Sequence, residues 1–177
     1  SSGGRFVFFL PLKLRFLSPR LNYRNHRKLV IIDDTIGYVG GFNIAREYLG
    51  RKKKFGYWRD TQLRLTGSAV QDINARFLLD WRVAAKEEIP LNDAYFAPPI
   101  GEGTSGIQIV SSGPDTEKEE VKRGYNRMIS TAQEKIWIQT PYFVPSGSLQ
   151  ENLKVAVLSG VDVRIMIPNK PDHMFVY

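Results

Sequence analysis

Residues 28–41, KLVIIDDTIGYVGG, predict a β-hairpin at the centre of the fold. The run Leu-Val-Ile-Ile is apolar and rich in β-branched side chains, which is typical of a strand buried on both faces. The next three residues, Asp-Asp-Thr at 33–35, have the composition of a turn. Residues 36–39 then return as the second strand, and Gly40 and Gly41 end it.

Around this hairpin, short apolar strands alternate with amphipathic helices, a pattern that predicts an α/β fold of layered sheet and helix. One group of expected elements comprises a helix at 43–48, a strand at 58–65, and a helix that begins after the N-cap Ser68 and ends near residue 87. A second group comprises strands at 107–110, 135–139 and 161–167 with helices at 115–132 and 146–158. Residues 88–106 are rich in Pro, Gly and polar side chains and predict a linker. The expected domains are therefore residues 1–87 and 107–177.

Positive charge is concentrated in the part of the chain that holds the hairpin. Residues 1–60 contain 13 Lys and Arg against 4 Asp and Glu, a balance of +9, whereas residues 61–177 contain 12 against 14, a balance of −2. Such a field attracts phosphates in lipid, nucleic acid or a small substrate. The absence of cysteine excludes disulfides and thiolate metal sites. No apolar run approaches the roughly 18 residues of a transmembrane helix.

His26 and Lys28 stand directly before the first strand and are the first candidates for chemistry. Residues two apart on an extended chain point to the same face, so the imidazole and the ammonium are expected side by side. An imidazole can act as nucleophile or as general acid and base, and a neighbouring ammonium stabilises oxygens that gain charge. This pair suits attack on phosphorus. Asn43, expected at a helix start after two glycines, would add an amide donor and backbone N–H groups.

Asp33 follows Lys28 by an odd number of residues, so on a straight strand it faces away from the lysine. We expect it to brace the site from the turn more than to contact substrate. The pattern H-x-K-x4-D-x6-G-G-x-N, far more specific than H-x-K alone, is satisfied in full by His26, Lys28, Asp33, Gly40, Gly41 and Asn43.

The stretch RNHRKLVIIDDTIGYVGGFN resembles the HKD motif of the phospholipase D superfamily. Four further stretches, GGFNIAREYLG, FGYWRDTQLRLTGSAV, IQTPYFVP and LSGVDVRIMIPNKPDH, are similar to those of bacterial cardiolipin synthases. The resemblance implies a phospholipase D-like layered fold with a mixed sheet flanked by helices, in which two α/β lobes each bring one HKD motif to a shared cleft. In this chain one lobe would be nearly complete and the second would be partial.

The resemblance also implies an activity: metal-independent transesterification, without a cofactor, of two phosphatidylglycerol molecules into cardiolipin and glycerol. His26 or its counterpart in a second motif would form a phosphohistidine. Lys28 and Asn43 would hold phosphate oxygens, Gly41 would let the backbone approach the phosphate, and Asp60 would orient the histidine ring. The implied location is the bacterial cell membrane, either facing the cytoplasm or associated with the membrane, with an anionic membrane surface and no nucleic acid as partner.

The sequence departs from the family pattern because a second H-x-K-x4-D is absent from these 177 residues. His173, the only other histidine, has no lysine two residues later, and both a cleft-lining and a structural role remain open for it. We expect the chain to be a fragment that is inactive alone, with the second half-site supplied by a missing C-terminal region or by a second copy. Two alternatives remain: a phosphodiesterase or nuclease of the same superfamily, and an inactive chain that only binds anionic membranes.

Overall fold

A computed structural model of the chain describes residues 3–9, 25–51, 53, 56–90, 92–101, 103–113 and 118–169. It divides the chain into two compact units, Ser1–Ile109 and Val110–Tyr177. One unit contains a three-stranded sheet and the other a two-stranded sheet, both accompanied by helices, which confirms the α/β class. The finer division into residues 1–87, a linker at 88–106 and residues 107–177 stays a prediction. His173 lies outside the described residues.

The sheet of the first unit is antiparallel, with strand order β1-β2-β3. Its strands are β1 (Leu29–Ile32), β2 (Ile36–Gly40) and β3 (Gln62–Leu65). The expected turn joins β1 to β2, and the Thr35 N–H donates to the Ile32 carbonyl at 3.1 Å. Asp33 and Asp34 have φ angles of 50° and 55°, values that Asp tolerates better than most residues because its short side chain can bond locally. The predicted hairpin is therefore present.

Helix α1 (Ala69–Ala85) supplies the core of the first unit. Val70 and Ile73 are 0% and 1% exposed, and they pack on Gly37 of β2, where an added Cβ would lie 3.3 Å from Ile73 Cδ1. Burial of each side chain contributes roughly 1.5–3 kcal/mol. Ser68 occupies the predicted N-cap position, but its backbone is helical (φ −62°, ψ −28°) and its side chain makes no capping bond.

Helix α1 covers one face of the sheet, and this corrects the expectation that β1 is buried on both faces. Val30 and Ile32 remain 47% and 43% exposed, because they point away from α1 and none of the described elements is packed over that face.

Two element boundaries predicted from the sequence were wrong. Strand β3 begins at Gln62 instead of residue 58, and the helix expected at 43–48 is a single 3-10 turn at Arg46–Leu49, closed by Gly50 with a φ of 66°.

Part of the expected linker is bonded to α1. Asn74, 4% exposed, donates from Nδ2 to the Tyr95 carbonyl at 2.6 Å and to Asp34 Oδ1 at 3.0 Å. Gln71 donates to the Ala97 carbonyl at 3.3 Å. One buried amide thus connects the hairpin turn, the helix and the segment that follows it, which includes a 3-10 turn at Asp93–Tyr95.

The second unit contains a β-α-β arrangement preceded by a helix. Its elements are α2 (Glu120–Thr131), β4 (Lys135–Gln139), α3 (Gly147–Leu158) and β5 (Asp162–Met166), with β4 and β5 parallel. All four were predicted, although α2 is shorter than expected and residues 115–117 of its predicted start lie outside the described residues. The strand expected at 107–110 is not formed, since described residues 103–113 join no ladder.

Candidate active site

His26 and Lys28 lie on the extended segment that leads into β1. His26 is exposed, and Lys28 is half-buried. Lys28 Nζ donates to the His26 carbonyl oxygen at 2.6 Å, so the two residues are joined directly. This places an ammonium beside the imidazole-bearing residue, where it can stabilise negative charge on a phosphate.

The sheet register indicates which residues share a face with His26. Leu29 pairs with Val39 in one ladder and Gly40 pairs with Gln62 in the next. Continued past the last pairs, the same register sets His26 opposite Phe42, and Phe42 opposite Asp60. The Gly41 N–H donates to the Thr61 carbonyl at 3.1 Å, so this alignment persists beyond the formal end of β2.

Asp60 departs from the regular alternation, because its carboxylate occupies the position of an added Cβ at Gly41, the residue aligned with Thr61. His26 and Lys28, two apart on an extended segment, share a face. The face is the one turned away from α1. Two strand spacings, about 10 Å, separate the backbone of His26 from that of Asp60. The structure thus joins Lys28 to His26 and sets the Asp60 carboxylate against Gly41, whereas the roles of these residues stay predictions.

Gly41 is in contact with Asp60. A Cβ at Gly41 would overlap Asp60 Oδ1 and lie 2.7 Å from Asp60 Cγ, so the carboxylate would have to shift to admit any side chain. The carboxylate is held in place because Asp60 Oδ1 accepts the Thr61 N–H at 2.7 Å. At Gly40 an added Cβ would lie 2.8 Å from Gln62 Cα. The glycine pair therefore lets the Asp60–Gln62 segment approach β2.

Asn43 is not at a helix start, and this corrects the expectation of free N–H groups there. The residue is exposed, it precedes the 3-10 turn by three positions, and its Nδ2 donates to Tyr48 Oη at 2.5 Å. Tyr48 in turn contacts Phe42 and Trp58, with ring centroids 6.0 and 5.0 Å apart. These rings tie the segment after β2 to the segment before β3.

Asp33 lies in the hairpin turn, at the opposite end of β1 from Lys28. Five residues of strand separate them, about 16 Å. This position agrees with a bracing role and removes Asp33 from direct reach of a phosphate held by Lys28. Its neighbour Asp34 is the carboxylate that the buried Asn74 amide binds.

Asp80 is a residue that sequence reasoning missed. It lies on α1, is 9% exposed, and binds both neighbours of His26, namely Asn25 and Arg27. The sequence contains no local signal for this contact, since Asp80 lies 55 positions after Asn25 in an ordinary amphipathic helix.

Comparison with known proteins supports the resemblance seen in the sequence. Residues 125–177 match a family model described as cardiolipin synthase, PLD-like domain. The chain is 56% identical to the cardiolipin synthase of Listeria innocua over 99% of its own length and 37% of that protein. It is 54% identical to the cardiolipin synthase of Staphylococcus aureus strain Mu50, over 100% of its own length and 36% of that protein. The chain therefore spans little more than a third of the curated relatives it matches.

Proposed function

Because the chain is related along its whole length to bacterial cardiolipin synthases, we propose that it forms part of a phosphatidyltransferase that makes cardiolipin from two phosphatidylglycerol molecules. The observation that supports the proposal is the bond from Lys28 Nζ to the His26 carbonyl oxygen at 2.6 Å, which holds an ammonium beside the proposed nucleophile. In the proposed whole enzyme the face that bears these two residues would receive the phosphodiester of the lipid. One glycerol is released for each cardiolipin formed, so no water is consumed.

His26 is the proposed nucleophile of the first step. An imidazole nitrogen attacks the phosphorus of one phosphatidylglycerol, the bond from phosphorus to the terminal glycerol oxygen breaks, and the phosphatidyl group remains on the histidine. In the second step a hydroxyl of another phosphatidylglycerol attacks phosphorus, the bond between phosphorus and histidine breaks, and the imidazole is regenerated. The exposure of His26 agrees with attack on a substrate that arrives from outside the unit.

Lys28, Asn43 and Asp60 support these steps in different ways. Lys28 is fixed against the His26 carbonyl, from where its charge stabilises the phosphate oxygens in the transition state. The Asn43 amide adds a second donor, and Gly41 leaves room for close approach. Asp60 would hold the tautomer and orientation of the imidazole and stabilise its charged form.

A general acid must protonate the leaving glycerol oxygen, and a base must then activate the incoming hydroxyl. These 177 residues contain one H-x-K-x4-D motif. We therefore propose that the second histidine comes from residues outside this chain or from a second copy of it, and that residues 1–177 alone are inactive. Asp33 would act from the hairpin turn by keeping β1 and β2 in register.

The proposed place of action is the surface of an anionic bacterial membrane. Arg51 and Lys53, both exposed, belong to the basic loop and would each contribute about 1 kcal/mol near such a surface. Among the described residues, no helix has the length and apolar character needed to cross a bilayer.

The test is an assay of the full-length protein that carries this chain on phosphatidylglycerol vesicles, without divalent metal, with cardiolipin and glycerol both measured. We expect equimolar products from the wild type, no product from His26→Ala, and a fall of about 100-fold or more in kcat for Lys28→Ala. Lys122→Ala is the matched control, because Lys122 is ion-paired to Glu119 at the start of α2 and is not part of the motif. Its activity should equal that of the wild type.

Three other results would redirect the assignment. Free glycerol with phosphatidic acid and no cardiolipin would indicate hydrolysis instead of transfer. Cleavage of DNA with a steep salt dependence, and no lipid turnover, would support the nuclease alternative and assign the basic half to nucleic acid. Turnover by residues 1–177 alone would show that a second copy completes the site.

A further inference from the structure

Asp80 joins helix α1 to the segment that carries the proposed nucleophile. Its Oδ2 accepts hydrogen bonds from Asn25 Nδ2 at 3.0 Å and from Arg27 Nη1 at 3.1 Å. Its Oδ1 is bound by Arg76, one helical turn earlier on the same helix. Oδ1 is thus held by the helix, with a longer contact of 3.5 Å from Arg27 Nη1, and Oδ2 binds the chain on both sides of His26.

The backbone around His26 is also bonded locally. The Arg27 N–H donates to Asn25 Oδ1 at 2.9 Å, so the Asn25 side chain bridges its own segment and the carboxylate on α1. Asn25 and Arg27 face α1, as do Leu29 and Ile31 further along β1. Because successive side chains on an extended chain alternate between faces, this arrangement turns His26 and Lys28 to the opposite face.

The Asp80 contacts are shielded from water, which makes them more than a surface ion pair. The Asp80 side chain is 12% exposed, and those of Arg27 and Arg76 are 28% and 30% exposed. Hydrogen bonds between ionised partners in such surroundings are stronger and more directional than exposed pairs. They therefore hold the segment in one position as well as stabilising it. A bond on each side of His26 restricts rotation of the intervening residue.

We propose that Asp80 is a positioning residue for the transfer reaction, which holds Asn25 and Arg27 against α1 so that His26 and Lys28 face the substrate. The inference rests on the proposed function of His26 and adds a residue that the motif does not contain. Asp80 faces away from the substrate side and acts only through the segment it anchors. Loss of the anchor should misplace the nucleophile by a fraction of an ångström or more, a displacement that lowers catalytic rates steeply.

The test combines kinetics with hydrogen exchange on the full-length protein. In Asp80→Asn we expect kcat to fall about 10- to 100-fold with KM changed less than about twofold. Amide exchange in the peptide that spans residues 25–28 should rise about tenfold, while peptides from α1 keep wild-type protection. Asp72→Asn is the matched control, because it is the same substitution at an exposed position of α1. It should change neither quantity.

Each result decides the inference. Wild-type kcat in Asp80→Asn would overturn it, even if the melting temperature fell, because a purely structural residue would give that result. If the variant does not fold, the double substitution Asn25→Ala and Arg27→Gln removes the same bonds from the segment side. A normal kcat in that folded double variant would overturn the inference, and a fall would support it. If the wild type does not act on phosphatidylglycerol, the proposed function fails, whereas unchanged exchange at residues 25–28 rejects the anchor itself.

Discussion

Gly41 can serve this site in two ways: it leaves room for the Asp60 carboxylate, or it lets the backbone approach the phosphate closely. Replacement of Gly41 by alanine tests which of these roles it has. The new Cβ would overlap Asp60 Oδ1 and lie 2.7 Å from Asp60 Cγ, whereas ordinary contact begins at 3.4 Å, so the whole carboxylate must move aside. The Thr61 N–H bond to Asp60 Oδ1, 2.7 Å long, opposes this movement. Overpacking of this kind costs about 1–3 kcal/mol of stability.

The displacement acts on catalysis because Asp60 is the proposed orienting carboxylate. We expect kcat of Gly41→Ala to fall about 10- to 100-fold, equivalent to about 1.4–2.7 kcal/mol of transition-state stabilisation. The assay is cardiolipin formation by the full-length protein at saturating phosphatidylglycerol, with KM measured in parallel. Gly124→Ala is the matched control. Nothing lies within 4 Å of its added Cβ, and alanine inside α2 should raise stability by about 1 kcal/mol without changing kcat.

A double substitution shows which role Gly41 has. In an Asp60→Ala background the carboxylate is gone, so Gly41→Ala should cause less than about a twofold further loss. Additive losses, together with a raised KM, would refute the reasoning and show that Gly41 is needed for close approach of the phosphate. A wild-type kcat in the single variant would refute both roles.

Three further predictions concern the folded units. Ile73→Ala should lower the free energy of unfolding by about 2–5 kcal/mol in chemical denaturation, because this side chain is 1% exposed in the core; a loss below 1 kcal/mol would contradict the packing described. Asn74→Ala should cost about 1–3 kcal/mol, since its removal leaves buried partners in the hairpin turn and in the segment after α1 unsatisfied. The pKa of Asp162 lies below its ordinary 3.8 because Arg164 and then Trp137 donate hydrogen bonds to it, so an NMR titration of Arg164→Gln should move that pKa upward. Because the folded-state pKa is the lower one, the stability from this pair is present above the unfolded-state pKa and is lost as the pH falls below about 4; an unmoved pKa would rule out the Arg164 contact.

The sequence by itself determined the elements and the motif. The hairpin at 28–40, helices α1 and α3 and strands β4 and β5 were predictable because their periodicity and turn residues are encoded within a few neighbouring positions. The same holds for His26 and Lys28, whose spacing on an extended chain sets a common face. A 3-10 turn in place of a helix after Asn43 was not predictable, since aromatic contacts across the segment decide it.

Only the tertiary structure decided how the motif is held. The approach of the segment before β3 brings the Asp60 carboxylate against Gly41, and helix packing brings Asp80 to Asn25 and Arg27. These contacts join residues far apart in the chain, and they depend on which face of α1 meets the sheet. The physical reason is that local propensity acts over a few residues, whereas the position of a side chain across a sheet or under a helix depends on packing of the whole unit.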